Sequence, residues 1–209
     1  MAGKTRKKTR IAVFASGNGG NLQALIDNSR DKKLGNSEIA LVFSDNPAAY
    51  ALKRARKAGI SVCVLEKTGF AGREEYDRAA AAALDARGID LVVLAGFMRI
   101  LSPFFVRKYR GRLINIHPSI LPSFKGAHGI KDAYDYGVKI SGATVHFVTE
   151  DLDAGPIISQ GAVGIKEGES ADSFERRMHE LEHKLYPEAV RLYVRGKLKI
   201  AGRKVIIKK

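Results

Sequence analysis

At 209 residues and 45% hydrophobic content the chain is long enough to bury one sizeable core, and a single domain is the expectation. No apolar run approaches the ~18 residues of a membrane span, and no apolar segment with a cleavage site follows the basic start. Cys63 is the only cysteine, which excludes an intrachain disulfide and a cysteine-built metal site and fits a cytoplasmic protein.

The net charge of +14 is unevenly spread. The first ten residues hold five bases and the last fourteen hold six, with no acid in either stretch, which leaves +3 for the body. Blocks of like charge repel and seldom fold. Residues 1–10 and 196–209 therefore read as solvated basic extensions on a domain of residues 11–195. Weak non-specific contact with nucleic acid or another polyanion is the most such ends imply.

In chain order, Ile11 to Ala15 is a short strand, followed by the glycine-rich run SGNGGNL and a helix with Leu22, Leu25 and Ile26 on one face. Strand, glycine turn and helix start make an anion site, because free N–H groups and the helix dipole both favour a phosphate. The run is a poor dinucleotide fingerprint. Gly17 and Gly19 match its first two glycines, but Leu22 stands at the third, and Asp45 is badly placed as the ribose-binding acid.

Further strands are expected at Ile39 to Phe43, Ile60 to Leu65 and Leu91 to Ala95, with helices at Tyr50 to Lys57 and Arg73 to Arg87. Ser102 and Pro103 read as N-cap and first residue of a short helix. This alternation predicts an α/β fold with a doubly wound, mostly parallel sheet. The stretch SILPSFKGAHGI reads as a loop, and Gly142 to Val148 and Ile157 to Ile165 read as strands that end the sheet antiparallel. Ser170 caps a long helix bearing Phe174, Met178, Leu181 and Leu185, which Pro187 is expected to kink or break. Leu198 to Ile207 reads as a small hairpin or an ordered tail.

The stretch that organises this reading is LINIHP, Leu113 to Pro118. Strand side chains alternate, so Asn115 and His117 project to one face, and Pro118 ends the strand beyond them. Either residue alone would read as a core polar group satisfied by backbone. Two together at a strand end, where α/β sheets bind ligands, read as a site. A second pattern, HELEH at His179 to His183, fits the H-E-x-x-H zinc motif with Glu180 as base. It specifies only three residues and has no evident third ligand, so no metal is expected.

Four motifs occur in order: SGNGGNL (Ser16–Leu22), AGFMRIL (Ala95–Leu101), NIHPSILPSFKG (Asn115–Gly126) and VTEDLDAGPII (Val148–Ile158). Together they resemble the phosphoribosylglycinamide formyltransferase family, over roughly residues 10 to 195. The resemblance implies a Rossmann-like formyltransferase fold, with a phosphate-binding half at residues 11–110 and a folate and catalytic half at residues 111–195. It implies formyl transfer from 10-formyltetrahydrofolate, a reduced-folate co-substrate, to the amine of glycinamide ribonucleotide in purine synthesis. By position, Asn115, His117 and Asp153 match the catalytic trio. Gly19, Gly20, Asn21 and Glu182 match the ribonucleotide site, although many members carry Ser where this chain has Gly20. Arg73, Met98, Arg99, Ile100, Leu101 and Asn115 match the folate positions.

The residue types suit the reaction independently. Asn115 can donate to a developing oxyanion, and His117 can donate to it and carry a proton near neutral pH. A carboxylate at Asp153 favours a charged imidazole or holds a relaying water. Two related activities, formyl transfer to initiator methionyl-tRNA and hydrolysis of formyltetrahydrofolate, share the Asn-x-His strand. The first normally carries a C-terminal RNA-binding domain and the second an N-terminal regulatory domain, and neither is expected from the residues of this sequence. A non-catalytic basic RNA binder is the rival from another class, and it predicts binding that falls steeply with salt.

Overall fold

The computed structural model describes residues 7–209. Nine strands form one sheet in the order β3-β2-β1-β4-β5-β6-β7-β9-β8. They are β1 (Thr9–Phe14), β2 (Ser37–Ser44), β3 (Val62–Val64), β4 (Leu91–Leu94), β5 (Leu113–His117), β6 (Ile140–Phe147), β7 (Ile157–Gly164), β8 (Leu198–Ala201) and β9 (Lys204–Ile207). The helices are α1 (Gly20–Arg30), α2 (Tyr50–Lys57), α3 (Arg73–Asp85), α4 (Pro103–Lys108), α5 (Gly129–Tyr136) and α6 (Ala171–Val194). Strands β1 to β5 pair in parallel, and β6 pairs antiparallel with both β5 and β7. The sheet is the mostly parallel one, antiparallel towards its C-terminal strands, that the sequence predicts.

The parallel strands are apolar on both faces because helices cover both. On one face Ile11, Val13, Leu91, Val93 and Ile114 pack with Leu22, Leu25 and Ile26 of α1, Leu52 of α2 and Tyr186 and Val190 of α6. On the other, Phe14, Phe43, Val92 and Leu113 pack with Tyr76 and Leu84 of α3 and Phe105 of α4. Strand order reverses between β1 and β4, which opens a crevice at their C-terminal ends. Ser16 joins the two sides of that crevice. Its N–H donates to Gly96 O at 3.0 Å, and its Oγ donates to Asp45 Oδ1 at 2.6 Å and accepts from Met98 N at 3.0 Å.

Three features differ from the sequence expectation, and a fourth decides between two readings of the C-terminal run. Strand β1 starts at Thr9, so the end of the basic N-terminal run lies inside the sheet. Helix α5 occupies residues expected in a loop or unassigned. It is eight residues long, and its N-cap His128 makes no side-chain cap, so it lacks a start signal. Helix α6 runs unbroken through Pro187. Proline removes one backbone donor there, but its buried ring and the Tyr186 hydroxyl, which reaches Leu94 O at 2.7 Å, hold this turn against the sheet. The basic C-terminal run forms the small hairpin expected over Leu198 to Ile207, so it is not a solvated extension. Leu198 and Val205 pack on the core, and Lys204 pairs with Ile157 of β7.

Candidate active site

A cleft of about 470 Å³ lies along the C-terminal ends of β4 and β5. Residues 94–101 form one wall and residues 148–153 the opposite one, with Asn115, His117 and His146 between them. Met98, Ile100 and Leu152 stand on the rim, each more than half exposed.

Asn115 and His117 lie two residues apart on β5 and face the same way, as alternation requires. His117 is 3% exposed. Its Nε2 lies 2.7 Å from Phe124 O, and because a carbonyl only accepts, that nitrogen carries a proton. Its Nδ1 lies 3.5 Å from Asp153 Oδ2. A second proton on Nδ1 makes both contacts favourable.

Asp153 reaches this point through a tight turn. Its backbone is left-handed, with φ 47°, a conformation that Asp tolerates better than most residues. Two residues on, a Cβ on Gly155 would fall 1.7 Å from Phe147 O, so only glycine lets the turn fold back against the end of β6. The carboxylate is 8% exposed and accepts from Gly126 N at 3.0 Å.

His146 belongs to this cluster and is absent from the sequence reading. It pairs directly across from Asn115 on β6. Its Nδ1 donates to Phe147 O at 2.9 Å, which leaves Nε2 as an acceptor for the Asn115 amide at 3.3 Å. Burial pushes the His146 imidazole below its ordinary value, opposed by the Phe147 bond and Asp153. A neutral ring suits this geometry: it takes one amide hydrogen of Asn115, fixes the amide's orientation and leaves the other hydrogen for the cleft. In the sequence, Thr144 and His146 share the polar face of an alternating strand. That was the available signal, but only the pairing register puts His146 opposite Asn115.

At the other end of the cleft, Asn21 Nδ2 donates to Glu182 Oε2 at 3.2 Å. Glu182 is 4% exposed and also receives His179 Nδ1 at 2.9 Å. That hydrogen bond, ahead of the opposing burial, raises the His179 imidazole above its ordinary value. Gly19 caps α1 with φ 76°, and Gly20 opens it. Met98, Arg99, Ile100 and Leu101 line the wall, with the Arg99 guanidinium 4.0 Å above the Tyr76 ring. Three predicted positions do not line the cleft: Gly19 and Gly20 stand at the start of α1 beside Asn21, and Arg73 sits apart at the exposed start of α3. Among the described residues no cluster of His, Cys, Asp and Glu is arranged to hold a metal ion, and the HELEH histidines instead stack with ring centroids 6.3 Å apart.

Residues 9–190 match the model of the formyl transferase family, and the chain belongs to that family. It is 45% identical over 190 residues to the phosphoribosylglycinamide formyltransferase of Escherichia coli, covering 91% of this chain and 89% of that protein. It is also 45% identical over 195 residues to the human trifunctional purine biosynthetic protein adenosine-3, covering 93% of this chain but 19% of that longer protein. The chain spans only 14% of the Drosophila melanogaster protein of the same name. The crystal structure of glycinamide ribonucleotide transformylase 1 from Symbiobacterium toebii superposes with a TM-score of 0.95 at 41% identity, each chain covered completely.

Proposed function

We propose that this chain transfers a formyl group from 10-formyltetrahydrofolate to the amine of glycinamide ribonucleotide. The observation that carries the reading is the gathering of Asn115, His117 and Asp153 in a cleft with apolar walls, in a chain that belongs to the formyl transferase family. Two relatives of near-identical length, from E. coli and Bacillus subtilis, bear the name of that activity.

The cleft suits a flat, partly apolar co-substrate. Ile100, Leu101, Ile116 and Val148 offer apolar surface, and the backbone of residues 149–153 offers polar groups for a heterocycle edge. Arg99 Nε is buried with no hydrogen-bond partner among the described residues. Met98 to Leu101 hold the folate in this reading. Asn21 and Glu182 hold the ribonucleotide, with Glu182 accepting from the ribose hydroxyls and the turn at Gly19 and Gly20 receiving the phosphate.

The amine attacks the formyl carbon, and negative charge develops on the formyl oxygen. Asn115 meets that charge with the amide hydrogen His146 leaves free. His117 supplies a second donor once its Nε2 exchanges the Phe124 carbonyl for the reacting oxygen. Asp153, whose Oδ2 lies 3.5 Å from Nδ1, keeps the imidazole oriented. The amine gives up one proton and the departing folate nitrogen gains one, so the site moves a proton without net consumption. No covalent enzyme intermediate is needed.

The test is an absorbance assay of folate deformylation with glycinamide ribonucleotide as acceptor. Turnover should require the ribonucleotide and stop when it is omitted. Folate deformylation at the same rate without it would mean hydrolysis and overturn the reading.

A further inference from the structure

The HELEH histidines remain unused in the chemistry above, and their position is specific. A Cβ on Gly20 would lie 3.0 Å from His183 Nε2, so the ring edge fills the space a side chain at residue 20 would take. The ring stacks on His179 with an interplanar angle of 13° and makes no hydrogen bond or ion pair among the described residues. Next to Gly20 in the chain, Asn21 has a buried Oδ1 with no hydrogen-bond partner among the described residues. Thus an imidazole nitrogen with no partner meets the turn that the proposed function gives to a phosphate.

We propose that His183 is a proton-linked phosphate ligand: its Nε2 contacts the ribonucleotide phosphate beside Gly20, and the ring takes up one proton from solvent when the phosphate binds. No covalent bond changes. A neutral imidazole carries one N–H, and the added proton leaves both ring nitrogens protonated and a cation next to the dianion. The inference rests on the reading that glycinamide ribonucleotide binds at this turn.

The surroundings favour that cycle. Without ligand, burial pushes the His183 imidazole below its ordinary value, so the ring starts neutral at pH 7.5. The charged and titratable groups around it are Arg54 of α2 and His179, Glu180 and Glu182 of α6. The two cations oppose protonation and the two carboxylates favour it. A phosphate dianion adds a charge that outweighs this near balance. His179 plays a different part, because its two nitrogens face Glu182 at 2.9 Å and Glu175 at 3.5 Å. Those carboxylates raise its imidazole above the ordinary value and engage both of its ring nitrogens, so neither is free for the phosphate.

The experiment is calorimetric titration of the full chain with glycinamide ribonucleotide at pH 7.5, in buffers of differing ionisation heat. The ligand phosphate, with its second pKa near 6, is already a dianion at that pH. Wild type should take up between about half a proton and one proton per site. His183→Gln keeps a donor but cannot titrate, so it should bind within roughly threefold of wild type with no uptake. His183→Ala should bind about tenfold more weakly, the loss of one charge-assisted hydrogen bond. Gly20→Ser in the His183→Ala background places a hydroxyl in the vacated space and should recover most of that loss, again without uptake. A folate analogue should bind all four proteins alike. Wild-type binding without uptake, or undiminished uptake in His183→Gln, overturns the inference. If glycinamide ribonucleotide fails to bind wild type, the functional reading fails instead, and the same titration with ribose 5-phosphate decides the role of His183.

Discussion

The two ends of the cleft are built to different standards of completion. At the β5 end, His117, His146 and Asp153 are almost fully buried, and each has a protein partner in place. At the α1–α6 end, His179 is 47% exposed, and among the described residues His183 has no hydrogen-bonding partner and Asn21 Oδ1 is buried with none. An unpaired buried polar atom costs roughly 1–3 kcal/mol, a cost that a ligand can remove. The difference assigns the work. The end that handles charge in the transition state is arranged in advance, while the end that recognises the substrate keeps unsatisfied groups for it.

The strongest way to break this comparison acts at the preset end. His117→Ala and Asp153→Asn should each lower turnover by ~10²–10⁴-fold, the usual worth of general acid–base groups, with ligand affinities nearly unchanged. The double variant should lose far less than the product of the two, since the groups act as a unit. Multiplicative losses in steady-state kinetics would separate them and leave Asp153 acting alone.

At the substrate end the loss should appear in binding. Glu182→Gln should raise the ribonucleotide KM by roughly 10–100-fold, the scale of one or two charge-assisted hydrogen bonds, and leave the folate KM in place. A loss confined to kcat would show that the two ends are not functionally distinct. Gly19→Val is a milder probe of the same end. Its φ of 76° disfavours a β-branched residue, and a Cβ would lie 2.9 Å from that of Ala51. The folded variant should bind ribonucleotide about tenfold more weakly and a folate analogue normally. Equal loss of both would mean the turn is not a dedicated phosphate site.

The smallest effect sharpens the role of His146. Its imidazole is held below the ordinary value of about 6.5. The unfolded chain therefore binds a proton before the folded chain does as pH falls through that value. This residue's contribution favours folding fully above about 6.5 and is lost as pH falls towards the lower folded value. His146→Leu should flatten that part of the urea-unfolding profile and lower turnover by misorienting Asn115. A profile identical to wild type would place the acid sensitivity elsewhere, with His183 the next candidate because burial lowers it as well.

What could be read from the chain follows from which forces are local. Asn115 and His117 were legible because alternation along a strand is a property of five consecutive residues. The N-caps at Ser102 and Ser170 were legible for the same reason, and their hydroxyls accept from Phe105 N and Ser173 N. Asp153 was marked by resemblance, and its route to His117 depends on a turn whose geometry no periodicity reveals. His146 escaped because its importance lies in a register between two strands. Pro187 misled because a local rule was outweighed by the packing of a 24-residue helix. Arg73 matched by position, yet the fold sets it outside the cleft lining.

The hydrogen bond between Asn21 and Glu182 joins residues 161 apart in the chain. A ribosome adding about 5–20 residues per second needs roughly 8–30 s to make the stretch between them. For that interval the glycine turn exists without the acid that completes its pocket. Helix α1, which packs against α6 in the finished molecule, keeps part of its apolar face uncovered. Nascent chains stalled before α6 would therefore lack Glu182 for the ribonucleotide and would leave the α6-facing side of α1 uncovered. Completion of the binding site and burial of the rest of that face therefore come with the same helix.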